Sequence, residues 1–212
     1  MKKTTIVLLV LFTTVVSAAE RGGESPQATA KRFQDAYALR DIEEIAACLA
    51  ERERGAMIFF NLTPAMKIST VLEGMDKNTL VSPSFTADSL PQDTEKRRAF
   101  VSIVKRNGIK VGGPPSPEAE TDPLKHFVTI AGPNPDRTVA ELDEYNRRYL
   151  GASNPTDQMF RVAPNPAFSN FEISGSKATA HMGKIDVVFV KENGRWFLSE
   201  FLAIKIKVKK QE

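Results

Sequence analysis

Acid–base catalysis is the first chemistry that the polar residues of this sequence could perform. Only two histidines, His126 and His181, occur in 212 residues, and Asp186 and Glu200 follow the second one closely. A general acid or base needs such a group in a dry pocket, where the loss of water tunes its pKa towards neutrality. The candidate catalytic residues are therefore His181, Asp186 and Glu200, with Tyr37 or His126 extending towards them from helices.

Each of these candidates also fits a structural role. His181 suits a strand position near a sheet edge, Asp186 a solvent-facing or hydrogen-bonded group, and Glu200 the ion-pair partner of a lysine or arginine. His126 follows a loop rich in breakers and suits an exposed position. We favour the structural roles, so the sequence points away from an enzyme.

Metal and cofactor chemistry has no motif to support it. The spacings His-x-x-x-His and Cys-x-x-Cys do not occur, and neither do G-x-S-x-G, G-x-G-x-x-G or a phosphate-binding loop. The single cysteine, Cys48, has Ile45, Ala46 and Leu49 as neighbours, which is typical of a small buried apolar residue. We expect no metal, no cofactor and no disulfide.

The N-terminus predicts export. Met1-Lys2-Lys3 precede an uncharged apolar block over 6–16, and Ala18 and Ala19 follow at the place where a signal peptidase would cut. Removing Lys2 and Lys3 lowers the net charge from +3 to +1, so a nucleic-acid or anionic-membrane partner is not expected. Cleavage after Ala18 and cleavage after Ala19 fit equally well, and the expected product is a periplasmic or secreted protein, with its domain over 20–212 and without a membrane anchor.

Two helices that meet at a tight bend should follow. Ser25-Pro26 has the pattern of a cap and first helical residue, and Asp41 with Glu44 forms a capping box that restarts the helix. The charge run at 51–54 is typical of a solvated face. A third helical region over 56–75 should be interrupted at Pro64.

The middle of the chain predicts further helices. One covers 94–106 with Asp93 as cap and Gly108 at its end, one covers 123–130, and one opens with Thr138 and Glu141 as a capping box and stops at Gly151. Residues 152–166 should be irregular. We interpret 20–212 as a single domain with a helical insertion at about 76–151.

The last fifth of the chain predicts an antiparallel sheet. Asn193-Gly194 between two β-branched and aromatic runs is the signature of a type I′ hairpin. Strands are expected over 168–173, over 178–191 with a bulge at Gly183, and over 196–208. This arrangement pairs Phe189 with Leu198.

The same register pairs Lys191 with Trp196, Val190 with Phe197 and Val187 with Glu200. Without an interruption at Gly183, His181 shares a face with Val187 and Glu200.

Both faces of this sheet carry large apolar side chains near the hairpin. Helices can cover one face, so the other face requires further chain, a ligand or a partner. The side chains that could line a ligand cavity are Tyr37, Phe59, Val187, Phe189, Trp196 and Leu198.

The two ends of the chain resemble the NTF2-like superfamily, also called SnoaL-like or cystatin-like cone. The resemblance rests on Ser25-Pro26 with the run from Phe33 to Ile45, on Gly175-Ser176-Lys177-Ala178-Thr179-Ala180, and on the run from Val187 to Leu198. It implies an α+β fold in which N-terminal helices pack on a curved C-terminal antiparallel sheet. The long helical middle departs from the family pattern.

Three functions follow from the resemblance, because this fold hosts both binding modules and enzymes. The favoured one is a non-catalytic domain that binds a small apolar ligand or a protein partner through the sheet face. The alternatives are a SnoaL-like acid/base enzyme, of isomerase or dehydratase type, on a small hydrophobic substrate, and a structural subunit of a homodimer.

Overall fold

Helices occupy the first part of the chain and a sheet occupies the last. The computed structural model describes residues 21–68, 94–110, 122–162 and 166–200. Within these residues the α+β class, with the sheet after the helices, is confirmed. The helices are α1 (Pro26–Leu39), α2 (Ile42–Ala47), α3 (Glu51–Ile68), α4 (Glu95–Asn107), α5 (Pro123–Ile130), α6 (Pro135–Leu150) and α7 (Pro155–Val162), with a 3₁₀ turn at Gly151–Ser153. The strands are β1 (Phe168–Ser174), β2 (Lys177–Met182), β3 (Ile185–Glu192) and β4 (Arg195–Leu198).

The predicted bend between the first two helices is confirmed. The Ser25 hydroxyl accepts the Ala28 N–H at 3.1 Å, and the Asp41 carboxylate accepts the Glu44 N–H at 3.0 Å. Arg40 adopts the left-handed conformation between them, with φ of 55°. These caps satisfy N–H groups that a helix start leaves without an intrahelical partner.

The charge run at 51–54 is solvated only in its first half, where the Glu51 and Arg52 side chains are 45% and 39% exposed. It forms the first turn of α3, and there Glu53 and Arg54 are only 3% and 4% exposed. The helix also continues through Pro64, so the predicted interruption is wrong. Packing of α3 along α5 and α6 outweighs the local signals. The predicted continuation to residue 75 lies outside the described residues.

Helix starts and irregular segments were harder to predict in the second half of the helical region. The capping box at Thr138 is wrong: α6 starts at Pro135 under an Asn134 cap, and the Thr138 hydroxyl donates to the Ala131 carbonyl at 2.8 Å. The segment 152–166 contains α7 instead of irregular chain. Around α4 the cap is Thr94, and the end at Gly108 is confirmed.

The sheet is an antiparallel meander in the order β1-β2-β3-β4. The predicted pairs of Phe189 with Leu198, Lys191 with Trp196 and Val190 with Phe197 are confirmed. The long second strand is wrong, because Gly183, with φ of 63°, begins a turn that divides it into β2 and β3. The register irregularity lies in β1, between Ser169 and Glu172.

The edge of β4 that faces away from β3 is not free, because it forms hydrogen bonds with residues from the helical region. Gly23 and Trp196 exchange two backbone hydrogen bonds, of 3.0 and 2.8 Å. The Ala50 N–H donates to the Leu198 carbonyl at 2.9 Å, and the Thr29 hydroxyl donates to the Trp196 carbonyl at 2.8 Å. The ladder of β3 with β4 ends at Leu198, so the predicted pair of Val187 with Glu200 does not form.

Two clusters of buried side chains hold the described residues together. The first joins α1, α2 and the start of α3 to the sheet, and it includes Ala131 and Val139. The second lies between α3, α4 and α6 around Phe100 and Leu142. In the described ranges, the search for a helix of membrane-spanning length and hydropathy finds none.

Candidate functional site

The sheet has an inner face that packs on the helices. Alternate residues of β2 and β3 are buried on this side: Ala178, Ala180, Met182, Val187 and Phe189. Side chains of α1 and α2, among them Phe33 and Ile45, belong to the same cluster. The period of two along each strand places these residues on one face, so burial follows the alternation of the sequence.

Most of the predicted ligand-lining residues lie in this inner core. Val187, Phe189 and Leu198 are fully buried, and Trp196 and Tyr37 are nearly so. The Tyr37 hydroxyl donates to the Met159 carbonyl at 3.0 Å, and burial raises the pKa of Tyr37 to about 12. The five side chains pack in one cluster, and their role in ligand binding stays a prediction.

Phe59 lies apart from this group. It is half-buried on α3, and its ring stacks against those of Phe60 and Phe127 at centroid distances of 5.6 and 5.0 Å. The structure therefore does not bring Phe59 together with the five sheet-side candidates.

The opposite side of the sheet, here called the outer face, is largely open in the described residues. Its exposed members are Ser169, Glu172, Lys177, Thr179, His181 and Asp186. Val188 and Val190 lie on the same side and are half-buried. Glu172 and Asp186 are acidic and Lys177 is basic, so the outer face carries charges of both signs.

Two of the three predicted catalytic residues meet on the outer face. His181 and Asp186 are direct cross-strand partners, and His181 Nδ1 lies 2.7 Å from Asp186 Oδ1. The shared face of His181 with Val187 required an uninterrupted strand, and it does not arise because the turn at Gly183 reverses the chain and pairs Val187 with Ala180. The two side chains are 49% and 84% exposed, so they lie in water and not in a dry pocket.

Ser169 extends this pair into a row of three polar residues. It is the β1 partner of His181, and paired residues of an antiparallel ladder point to the same side. Sequence reasoning missed Ser169, because the irregularity around Asn170, with φ of 53°, breaks the alternation that would have placed it. A Ser-His-Asp array catalyses acyl transfer when oxyanion donors are also in place. The exposure of His181 and Asp186 is instead typical of a hydrogen-bonded pair on the surface of a sheet.

The remaining predicted residues are not part of this group. Glu200 is exposed and lies two residues beyond the end of β4. His126 is half-buried on α5, which packs mainly on α3, and its ring contacts that of Phe127 at a centroid distance of 6.4 Å. In the part of the chain that the structure describes, no three His, Cys, Asp or Glu side chains are grouped to hold a metal ion.

A scan against protein-family models, a search of curated proteins and a search of solved structures each find no match to this chain. A functional proposal therefore rests on the geometry and chemistry of the two sheet faces.

Proposed function

We propose that this protein is an exported, non-catalytic NTF2-like domain that binds a protein partner through the outer face of its sheet. The observation that carries the proposal is the contrast between the two faces. Phe189 and Leu198 are fully buried on the inner face, whereas Thr179 and His181 are exposed on the outer face. Export rests on the signal-peptide pattern of residues 1–19.

Side chains already fill the inner face where a small apolar ligand would bind. Phe189 contacts the rings of Phe168 and Phe171, both at centroid distances of 5.8 Å. A ligand there would have to displace packed side chains, and losing the packing of one large buried side chain costs about 2–5 kcal/mol. This cost favours a partner at the surface over a ligand in the core.

The outer face has the composition of a reversible protein interface. Val188 and Val190 are half-buried, and their partners on β2 are Thr179 and Lys177 respectively. A central apolar strip with charged neighbours is the common anatomy of such interfaces, and charges of both signs favour a protein over a nucleic acid.

The first strand supplies a second element of the proposed surface. Among the described residues β1 pairs with β2 alone, whereas Gly23 and Leu49 close the far side of β4. Glu172 on β1 is exposed and pairs with Thr179 of the outer face. An open strand edge can add a strand from a partner, and main-chain hydrogen bonds then contribute to affinity.

The acid/base enzyme is the second candidate function, and the contact of His181 with Asp186 favours it. Because a general base depends on burial, the exposure of both side chains argues for the binding function. Turnover of a small hydrophobic substrate that is lost in both His181→Ala and Asp186→Asn would establish the enzyme instead.

Native mass spectrometry of the protein purified from its own compartment tests the proposed function. We expect a complex whose added mass is that of a second polypeptide. A small-molecule adduct on the monomer would favour the apolar-ligand function, and a doubled mass would favour the homodimer. A bare monomer at every concentration would contradict all three binding functions.

A further inference from the structure

A cleft lined by both arginines and glutamates lies between the start of α3, the hairpin of β3 with β4, and the segment before α1. Its volume is about 330 Å³. Six of its lining residues combine guanidinium groups, carboxylates and one aromatic ring: Arg21, Arg54, Arg195, Glu51, Glu192 and Phe197. This volume accommodates a ligand of the size of an amino acid or dipeptide.

Arg54 forms the buried wall of the cleft and has unused donor capacity. Its side chain is only 4% exposed, and among the described residues its Nε has no hydrogen-bond acceptor. Its Nη1 lies 3.6 Å from Asp136 Oδ1, which is within ion-pair range but too long for a hydrogen bond. A buried charged donor without an acceptor is costly, so an acceptor supplied by a ligand would be strongly favoured.

Asp136 holds the arginines in position from behind the cleft. Its Oδ2 lies 3.0 Å from Arg21 Nε, while its Oδ1 faces Arg54. The Arg21 guanidinium also lies 5.9 Å from the centre of the Phe197 ring. The Asp136 carboxylate is thus shared between the guanidinium groups of Arg21 and Arg54. It cannot accept hydrogen bonds from all of their N–H donors.

The charges around the cleft select between kinds of anion. Three arginines and two glutamates line it, which leaves one net positive charge before Asp136 is included. Two nearby carboxylates repel a dianion such as phosphate, whereas a single carboxylate matches the planar fork of a guanidinium group. Glu192 can in turn accept hydrogen bonds from an ammonium group, and so can Glu51, whose Oε2 lies 3.7 Å from Lys125 Nζ.

We propose that this cleft binds a small zwitterion with one carboxylate and one ammonium group, such as a free α-amino acid. The ligand carboxylate accepts from the Arg54 guanidinium group, the ammonium group donates to Glu51 and Glu192, and the ligand side chain packs on Phe197. The Asn193-Gly194 turn, with φ of 50° and 83°, places Glu192 beside the cleft. This site adjoins the proposed partner surface at Phe197, which pairs with Val190, but its charged residues lie at the hairpin and the start of α3.

Titration of the ¹⁵N-labelled mature chain with L-alanine tests the proposal, with the Arg54 Nε–Hε signal as the readout. That signal is assigned by its absence in Arg54→Lys. We expect saturable shifts of this signal and of the Asn193 and Gly194 amides, and binding of acetate, methylammonium or phosphate weaker by about tenfold or more.

Two variants and one control make the result specific. Arg54→Lys keeps the charge opposite Asp136 but removes the fork, and Glu192→Gln removes an ammonium acceptor on the hairpin. Both should weaken L-alanine binding by about tenfold, with acetate affinity unchanged in Glu192→Gln. Glu172→Gln, on the outer face, should bind as the unmodified protein does.

Three results would overturn the zwitterion site: no shift at millimolar L-alanine, phosphate or acetate binding as tightly as L-alanine, or unchanged L-alanine affinity in Glu192→Gln. If Arg54→Lys does not fold, the Glu192→Gln result decides alone. Native mass spectrometry of the partner complex is unaffected by any of these results, so the two proposals succeed or fail separately.

Discussion

The backbone of Gly55 in α3 approaches the Leu124 carbonyl in α5 so closely that a Cβ at position 55 would lie 1.8 Å from its oxygen. The neighbouring residues Glu53 and Arg54 are buried in the same turn. Glycine is therefore required at this position by the contact between two helices, and not by a turn or a positive φ.

Substituting Gly55 by alanine should destabilise the protein although alanine is the better helix former. The propensity gain is about 1 kcal/mol, but a backbone clash of this kind forces the helices apart and costs about 1–3 kcal/mol beyond that gain. Urea unfolding measures the difference. The exposed Ser102→Ala in α4 is the control and should change the unfolding free energy by less than about 0.5 kcal/mol. A more stable Gly55→Ala protein would show that the two helices do not touch here.

Glu141 joins α4 to α6 through several donors. Arg106 Nη2, Asn107 Nδ2 and Arg137 Nε lie 2.8, 2.6 and 2.9 Å from its carboxylate oxygens. Burial acts to raise the pKa of Glu141, but these hydrogen bonds outweigh it and hold the pKa below its ordinary value. The charged carboxylate therefore stabilises the folded state.

Glu141→Gln should lower the unfolding free energy at pH 7 by about 1–2 kcal/mol. Because the folded pKa is depressed, this contribution is complete above the ordinary glutamate pKa and is lost as pH falls through the folded pKa. The difference between the two proteins should therefore shrink in acid. Urea unfolding across that range is the measurement, and the exposed Glu144→Gln on the same helix should show neither effect. A difference that is constant with pH would contradict the linkage.

Cys48 should be chemically inert in the folded protein. Its side chain is fully buried, and burial raises the pKa of the Cys48 thiol to about 12 although Arg32 acts to lower it. Since the thiolate is the reactive form, labelling by Ellman's reagent at pH 8 should be more than about a hundredfold slower than in urea. Rapid stoichiometric labelling of the native protein would disprove this placement.

Local chemistry explains which elements could be predicted from the sequence. Ser25, Asp41 and Gly108 act through contacts within four residues, and the Asn193-Gly194 turn fixes the register of its hairpin. Such signals do not depend on the rest of the chain. The caps at Ser25 and Asp41, the helix end at Gly108, the bend and the pairing of Phe189 with Leu198 were accordingly predicted correctly.

The failures arise where distant contacts override local patterns. Glu53 and Arg54 read as solvated charges, but α5 and α6 cover that turn of α3. The pattern at Gly183 does not distinguish a bulge from a turn, so the sequence could not determine which face of the sheet His181 shares with the residues after Gly183. The contact of His181 with Asp186 depends on that turn, so the sequence named both residues without placing them together.

The most direct test of the proposed partner surface is native mass spectrometry of Thr179→Arg, which adds a bulky charge in the middle of the outer face. Thr179 is exposed there and pairs with Val188, so the protein should fold normally and lose the co-purified polypeptide. The matched variant Ser102→Arg, exposed on α4, should keep the complex. A complex that survives Thr179→Arg unchanged would contradict binding through the outer face.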